Sequence, residues 1–201
     1  ANQITYFKNK EIIITDNNSK FFLEDNKEIS AKKFILNRKK NSLNALGNVK
    51  IIDKKENLEI YTDDITFLRE KGEIFTKGKT KLILKPNYNF VSRDLNYSIS
   101  KGILNSNKTT KIEDDKSNFY SLERFSYDLK NKILKGKDVL LINNYNLPNN
   151  NKLYFANAII NLENQSFAAE DVELKLNKSI FDNTENDPRL KSVSSIGDGK
   201  I

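Results

Sequence analysis

The chain has 201 residues and a formal net charge of +7, and it contains no cysteine, histidine, methionine or tryptophan. The absence of cysteine excludes a disulfide framework and a thiolate metal site, and the absence of histidine removes the commonest general base and zinc ligand. No apolar run is long enough for a membrane-spanning helix. We therefore expect a protein without enzymatic activity, cofactor or metal ion.

Lysine supplies most of the positive charge, because the chain has only five arginines. Lysine is a point charge without the planar fork with which arginine binds phosphate, so the composition argues weakly for phosphate recognition. Two interpretations stay open. The charge belongs to an ordinary solvated surface, or it serves an anionic partner such as nucleic acid, phospholipid or a phosphorylated glycolipid.

The first 36 residues predict short β-strands. The segments 4–7, 11–15 and 20–23 are rich in β-branched and aromatic residues. Turn-forming residues such as Asp16, Asn17 and Asn18 separate them. This pattern is typical of strands joined by tight turns.

The stretch from Gly47 to Leu84 defines a repeat of about thirty residues. Phe67, Tyr97 and Tyr127 follow one another at equal spacing, and Asp64 is matched by Asp94. Gly47 and Gly78 mark an earlier copy at nearly the same offset. A fixed period of this size predicts stacked copies of one small β-unit, because a single two-stranded unit is unstable in water.

Within the repeat, apolar and polar residues alternate between positions 74 and 84. One face carries Ile74, Thr76, Gly78, Thr80, Leu82 and Leu84, and the other carries Phe75, Lys77, Lys79, Lys81 and Ile83. A period of two with one largely polar face predicts a half-buried antiparallel strand. No window of twelve residues shows the helical period.

Another copy includes Phe125, Tyr127 and Ile133, and the last copy ends near Leu176. The asparagine-rich segment 143–151 lies between them and predicts an exposed loop insertion. From residue 183 to 199 the alternation is absent. We therefore predict a domain over residues 1–180 and a connector over residues 181–201, leading to a C-terminal domain that this chain lacks.

The fold class predicted is all-β: an elongated antiparallel β-jelly-roll of stacked repeats with two facing sheets. The inward residues either fill a closed core or, if the sheets splay along one edge, line an apolar groove. Such a groove suits an acyl chain, since burial contributes about 0.8 kcal/mol per methylene. The candidate groove residues are Ile65, Phe67, Ile74, Leu82, Leu84, Phe90, Leu95, Tyr97, Phe125, Tyr127 and Ile133.

Two segments resemble a known family. The residues 45–51 and 58–65, read as Ala-Leu-Gly-Asn-Val-Lys-Ile and Leu-Glu-Ile-Tyr-Thr-Asp-Asp-Ile, resemble the OstA-like repeat of periplasmic lipopolysaccharide-transport proteins. The segment 186–195 is similar to the stretch that leads from the N-terminal domain of LptD-type outer-membrane lipopolysaccharide-assembly proteins into their β-barrel. Many members carry cysteines that tie this domain to the barrel, and this chain has none.

The resemblance implies a non-enzymatic module at the periplasmic face of the outer membrane, with the acyl chains of lipid A in an apolar groove. It implies four partners: lipopolysaccharide, a jelly-roll bridge protein, a β-barrel in the same chain and a plug lipoprotein. No nucleic acid is expected. The bridge protein would stack on the N-terminal edge, which carries Ile4, Tyr6, Ile12 and Ile14.

Two alternatives to this function stay open at the level of sequence. One is a related bridge or anchor protein of the same transport system without a barrel. The other is a structural or adhesive β-repeat whose basic face binds polyanionic glycans or nucleic acid. Salt-sensitive binding to polyanions, without affinity for acyl chains, would favour the last of these.

Overall fold

The computed structural model describes residues 3–177 and 188–198, and in these ranges the chain is all-β with antiparallel pairing throughout. The predicted fold class, an antiparallel β-jelly-roll, is confirmed. The chain divides into two units, residues 1–106 and 107–201.

Unit 1 contains strands β1 to β12 within the described residues, with a 3-10 turn at Lys8–Lys10 between the first two. The strands are β1 Gln3–Phe7, β2 Ile12–Asp16, β3 Ser19–Leu23, β4 Lys27–Ala31, β5 Lys33–Asn37, β6 Ser42–Asp53, β7 Leu58–Leu68, β8 Glu73–Thr76, β9 Lys79–Leu84, β10 Tyr88–Arg93, β11 Asn96–Ser98 and β12 Ile103–Ser106.

These strands form two layers that share β6 and β7. In layer 1 the order is β1, β2, β5, the first half of β6, the second half of β7, β8, β11 and β12. In layer 2 the order is β3, β4, the second half of β6, the first half of β7, β9 and β10. The rings of Phe21 in β3 and Phe34 in β5 lie 6.3 Å apart, so the two layers face each other.

The chain passes from one layer to the other at bends, and the backbone conformation at these bends explains which residues recur in the repeat. At Gly47 (φ +75°) and Asn48 (φ +50°) the pairing of β6 with β7 shifts register, as a β-bulge does. At Gly78 (φ +83°) the chain leaves β8 in layer 1 and enters β9 in layer 2. The Asp94 carboxylate accepts a hydrogen bond of 2.8 Å from the Gly78 N–H. Glycine and aspartate recur at these positions because the backbone there is left-handed, a conformation that most other residues adopt at a cost.

The bend at Gly78 corrects one expectation from the sequence. The alternating stretch 74–84 is two strands, β8 and β9, and not one. The predicted burial pattern is nevertheless present, because Ile74, Thr76, Thr80, Leu82 and Leu84 are all buried. The bend preserves the inward face while moving the chain from one layer to the other.

Unit 2 has the same plan, and four of its described strands have nine or ten residues. Within the described residues its strands are β13 Thr110–Asp114, β14 Phe119–Leu122, β15 Arg124–Asp128, β16 Ile133–Ile142, β17 Lys152–Asn161, β18 Phe167–Lys175 and β19 Arg189–Gly197. Layer 3 consists of β15, the first half of β16, the second half of β17, the first half of β18 and the second half of β19. These halves include Leu134, Ile160, Phe167 and Gly197. Layer 4 consists of β13, β14 and the other halves of the same long strands.

The region predicted as an irregular connector includes a strand. Residues 189–197 form β19, which pairs with β18 from Phe167↔Gly197 to Lys175↔Arg189. Most of its side chains are exposed, so backbone hydrogen bonds rather than burial hold it, and the sequence therefore shows no alternation. Residues 178–187, including Asn186 and Asp187 of the tail motif, lie outside the described part, and the boundary near residue 180 stays a prediction. The predicted loop 143–151 lies between β16 and β17, as expected.

Candidate functional site

The interior of unit 1 contains two facing rows of buried residues, and five of the predicted inward residues belong to them. In layer 1 the register joins Leu43, Phe67, Ile74, Tyr97 and Leu104 in one row across five strands. In layer 2 a facing row contains Ile29, Ile51, Ile60, Leu82 and Phe90. All of these side chains are at most 5% exposed.

The predicted groove residues therefore fall into two groups. Ten of them are buried: Ile65, Phe67, Ile74, Leu82, Leu84, Phe90, Leu95 and Tyr97 in unit 1, and Phe125 and Tyr127 in unit 2. Ile133, the first residue of β16, is half-buried. Their inward orientation agrees with the alternation, and their role toward a lipid stays a prediction.

Tyr97 differs from the other members of its row because its hydroxyl has a buried polar partner. The hydroxyl in layer 1 donates a hydrogen bond of 2.6 Å to Oδ2 of Asp53 in layer 2. Asp53 is fully buried, and Lys27 Nζ lies 3.5 Å from the same carboxylate oxygen. Burial, and secondarily the hydrogen bond to Asp53, raises the pKa of Tyr97 far above its ordinary value, so the hydroxyl stays protonated and donates.

The remaining oxygen of Asp53 caps the turn after β6. Oδ1 accepts hydrogen bonds from the backbone N–H groups of Lys55 and Glu56 at 3.1 and 3.2 Å. Lys27 and Asp53 are direct cross-strand neighbours in layer 2. A buried carboxylate with this set of partners is fully hydrogen-bonded, as a buried charge must be to be tolerated.

Unit 2 contains space that its side chains leave unfilled. A cavity of about 330 Å³ lies between layers 3 and 4. Ile160 and Phe167 of layer 3 and Leu153 and Phe155 of layer 4 form its apolar wall. The rings of Phe155 and Phe167 lie 5.4 Å apart. Tyr120 and Leu141 also line it, and the polar part of the lining consists of Lys116, Asn118, Asn143, Asn144 and Gln165.

A second cavity, of about 370 Å³, shares Leu153 and Phe167 with the first and extends to β19. Its lining is mainly apolar and includes Val172, Leu174, Leu176 and Leu190. None of the residues that line these two cavities was among the predicted groove residues. The alternation of Leu153 with Phe155, and of Val172 with Leu174, is a signal that could have identified them.

The predicted N-terminal edge is exposed. Ile4 and Tyr6 in β1 are 67% and 49% exposed, whereas Ile12 and Ile14 in β2 are half-buried. β1 pairs with β2 on one side, and its other edge is unpaired among the described strands. A free strand edge can pair with another chain, and the prediction of a partner there stays open to test.

The outer face of layer 2 carries a charged cluster around Glu59. Lys85 Nζ lies 2.6 Å and Lys50 Nζ 3.1 Å from the Glu59 carboxylate, and the Tyr61 hydroxyl also donates to it. The hydrogen bonds from Lys85, Tyr61 and Lys50, in that order, lower the pKa of Glu59 to about 2. This cluster faces away from the interior.

Across residues 3–177 and 188–198, no group of three or more acidic, histidine or cysteine side chains could hold a metal ion. In the same ranges no helix has the length and apolarity needed to cross a membrane.

No family model and no curated protein matches the sequence. Among solved structures, the chain is similar to the crystal structure of LptH, the LptA homologous periplasmic component of the conserved lipopolysaccharide transport device from Pseudomonas aeruginosa. The identity is 12% and the TM-score 0.46, and the match covers 64% of this chain and 83% of that chain.

Proposed function

We propose that the chain is a non-enzymatic periplasmic module of lipopolysaccharide transport that shelters acyl chains between the layers of unit 2. The observation that carries the proposal is the pair of cavities in unit 2, which share Leu153 and Phe167 and are walled by apolar side chains. The resemblance of residues 45–51 and 58–65 to the OstA-like repeat supports the choice of cargo.

The chemistry of the cavities suits an amphipathic lipid. An acyl chain that enters between Phe155 and Phe167 gains about 0.8 kcal/mol for each methylene removed from water. The polar part of the lipid would remain at the rim, where Lys116 Nζ donates a hydrogen bond of 3.1 Å to Gln165 Oε1. A lysine at the rim can pair with the phosphate of a phosphorylated sugar, whereas the apolar wall of the cavity does not accommodate that sugar.

We also propose which proteins this chain binds. The free edge of β1, with exposed Ile4 and Tyr6, would receive a jelly-roll bridge protein by strand pairing. The likeness of the tail to LptD-type proteins supports a β-barrel in the same chain and a plug lipoprotein. Reading the gene beyond the codon of Ile201 separates this form from a bridge or anchor protein without a barrel.

Site-specific photo-crosslinking tests the proposed cargo. A photoreactive residue at Phe167, which lines both cavities, is expected to form adducts with lipopolysaccharide during transport. The matched control is the next residue, Ala168, which is exposed on the opposite face of β18. Adducts at Ala168 and none at Phe167 would contradict the proposal and favour a surface that binds glycans.

A further inference from the structure

The outer faces of the two layers of unit 1 differ in charge. One row on the outer face of layer 1 crosses eight strands without a charged side chain; it consists of Thr5, Ile14, Ile35, Asn44, Thr66, Phe75, Asn96 and Asn105. The corresponding row of layer 2 crosses six strands and has three lysines and no acid; it consists of Lys20, Ser30, Lys50, Tyr61, Lys81 and Val91. A lysine content that reflected composition alone would favour neither face, so the difference between the faces needs another cause.

The adjacent row of layer 2 contains two acids, and both are already paired with lysines. Glu28 binds Lys20 at 2.9 Å, and Glu59 binds Lys50 at 3.1 Å and Lys85 at 2.6 Å. These ion pairs use two of the three lysines in the basic row. They leave no acid of this row to neutralise the other cations of the face.

Three further cations of this face form no ion pair with another described residue. They are Lys79 and Lys81 in β9 and Arg93 in β10; all are exposed, and Lys79 lies directly opposite Arg93 in the register. The carboxylates of Asp63 and Asp94, at the bends, accept hydrogen bonds from backbone N–H groups. Like charges directly opposite each other on neighbouring strands are destabilising, so an anion bound between them would stabilise this face.

Exposed apolar side chains lie at both edges of the same face. Phe22 in β3 is 70% exposed, and Val91 in β10 is 40% exposed. Phe22 is paired with Glu28, and Val91 with Lys81, so both side chains point outward beside the charged residues. A soluble polyanion is bound through charge and leaves such side chains in water, whereas the headgroup region of a bilayer takes up both lysines and apolar side chains.

We propose that the outer face of layer 2 binds the surface of a bilayer that contains anionic phospholipids. Lys79, Lys81 and Arg93 pair with headgroup phosphates, while Phe22 and Val91 enter the boundary between headgroups and acyl chains. This face lies outside the interior of the unit, so the inference does not rest on the proposed function and its test needs no cargo.

Co-sedimentation of the whole chain with vesicles tests the charged part of this surface. The wild type is expected to bind vesicles of equal parts phosphatidylglycerol and phosphatidylcholine, and to bind pure phosphatidylcholine far more weakly. Lys79→Gln, Lys81→Gln and Arg93→Gln together are expected to reduce partitioning onto the anionic vesicles about a hundredfold. A wild type that binds both kinds of vesicle equally, or neither, would overturn the proposal.

A matched control removes the same amount of charge from layer 1. Lys39→Gln, Lys40→Gln and Lys71→Gln change exposed residues in the turns that follow β5 and β7. This triple variant is expected to bind the anionic vesicles nearly as the wild type does. An equal loss in both triple variants would show that net charge, rather than the face of layer 2, causes the binding, and it would overturn the proposal.

A second pair of variants tests the apolar part of the surface. Phe22→Ala is expected to weaken binding to the anionic vesicles about fivefold. Its control is Phe75→Ala, which truncates a ring that is 37% exposed on the outer face of layer 1 and is expected to change nothing. An unchanged affinity in Phe22→Ala would overturn the bilayer as partner, and tight binding of long-chain inorganic polyphosphate by that variant would then identify a soluble polyanion.

Discussion

The two units use one plan and differ in what lies between their layers. In unit 1 the rows that contain Phe67 and Leu82 are buried, and a cavity of about 560 Å³ has a lining that includes the charged residues Lys27 and Arg69. In unit 2 two cavities share Leu153 and Phe167, and the lining of the one that extends to β19 is mainly apolar. The same alternation of apolar residues therefore leaves space with a partly charged lining in one unit and space with a mainly apolar lining in the other.

The difference shows that the apolarity of the inward residues alone does not decide how polar the unfilled space of a β-jelly-roll is. The inward residues are similar in both units, and the units differ in the side chains that line their unfilled space. In unit 2, half-buried residues on the long strands, such as Phe167 and Leu174 on β18, face unfilled space.

The largest expected effect comes from truncating one phenylalanine in each interior. Phe90→Ala removes a fully buried ring and is expected to lower the free energy of unfolding by about 3–5 kcal/mol. Phe167→Ala, beside space that is already empty, is expected to cost only about 1–2 kcal/mol. Urea denaturation checks both, and equal losses would show that the interior of unit 2 is as well filled as that of unit 1.

Alanine substitutions at two glycines of unit 2 compare a position that faces filled space with one that faces unfilled space. A methyl group at Gly136 would overlap with Leu122 and Val139, which are both buried, so Gly136→Ala is expected to cost about 1–3 kcal/mol. At Gly197 the methyl group would meet the ring of Phe167, which can move into the cavities.

Gly197→Ala is therefore expected to change the urea midpoint little and to weaken binding of a dansyl-labelled fatty acid. A large loss of stability together with unchanged binding would contradict the assignment of the space beside Phe167 to an acyl chain.

Much of this fold follows from the sequence, because the repeat places inward residues two apart and spaces its glycines and acids evenly. The alternation identified the buried faces of β8 and β9, and equal spacing identified Phe67, Tyr97 and Tyr127 as inward. The repeat also marked Gly47, Gly78 and Asp94, but it did not show that they are bends between layers. That role depends on backbone angles rather than on residue type alone.

The cavities and the hydrogen bond between Tyr97 and Asp53 could not be predicted in the same way. Whether an inward phenylalanine such as Phe155 fills its space depends on what the facing layer supplies at that point. The partnership of Tyr97 with Asp53 joins residues 44 positions apart. β19 escaped prediction because its strand is held by backbone bonds and most of its side chains, such as Val193 at 82% exposure, face solvent.

The smallest expected effect concerns the outer face, where Glu59 has a pKa lowered from 4.5 to about 2. A carboxyl group whose pKa is lower in the folded chain stabilises it above the ordinary pKa, and this contribution is lost as the pH falls from about 4.5 towards 2. The loss is expected to be below about 1 kcal/mol for a cluster near the surface.

Glu59→Gln is expected to remove this part of the pH dependence in urea denaturation between those two values and to leave fatty-acid binding unchanged. An unchanged pH dependence would show that the hydrogen bonds from Lys85 and Lys50 do not form in solution. Altered binding would mean that the outer face contributes to the cargo site.

Methyl nuclear magnetic resonance tests the central claim most directly. With methyl-labelled leucine and valine and a bound dodecanoyl lipid, intermolecular nuclear Overhauser effects are expected at Leu153, Val172 and Leu174. None is expected at Leu82 or Leu84, which are buried in unit 1 and line none of these cavities, nor at exposed Val193. Contacts from the acyl chain to Val193 without any to Leu153 or Leu174 would contradict an acyl-chain site between the layers of unit 2.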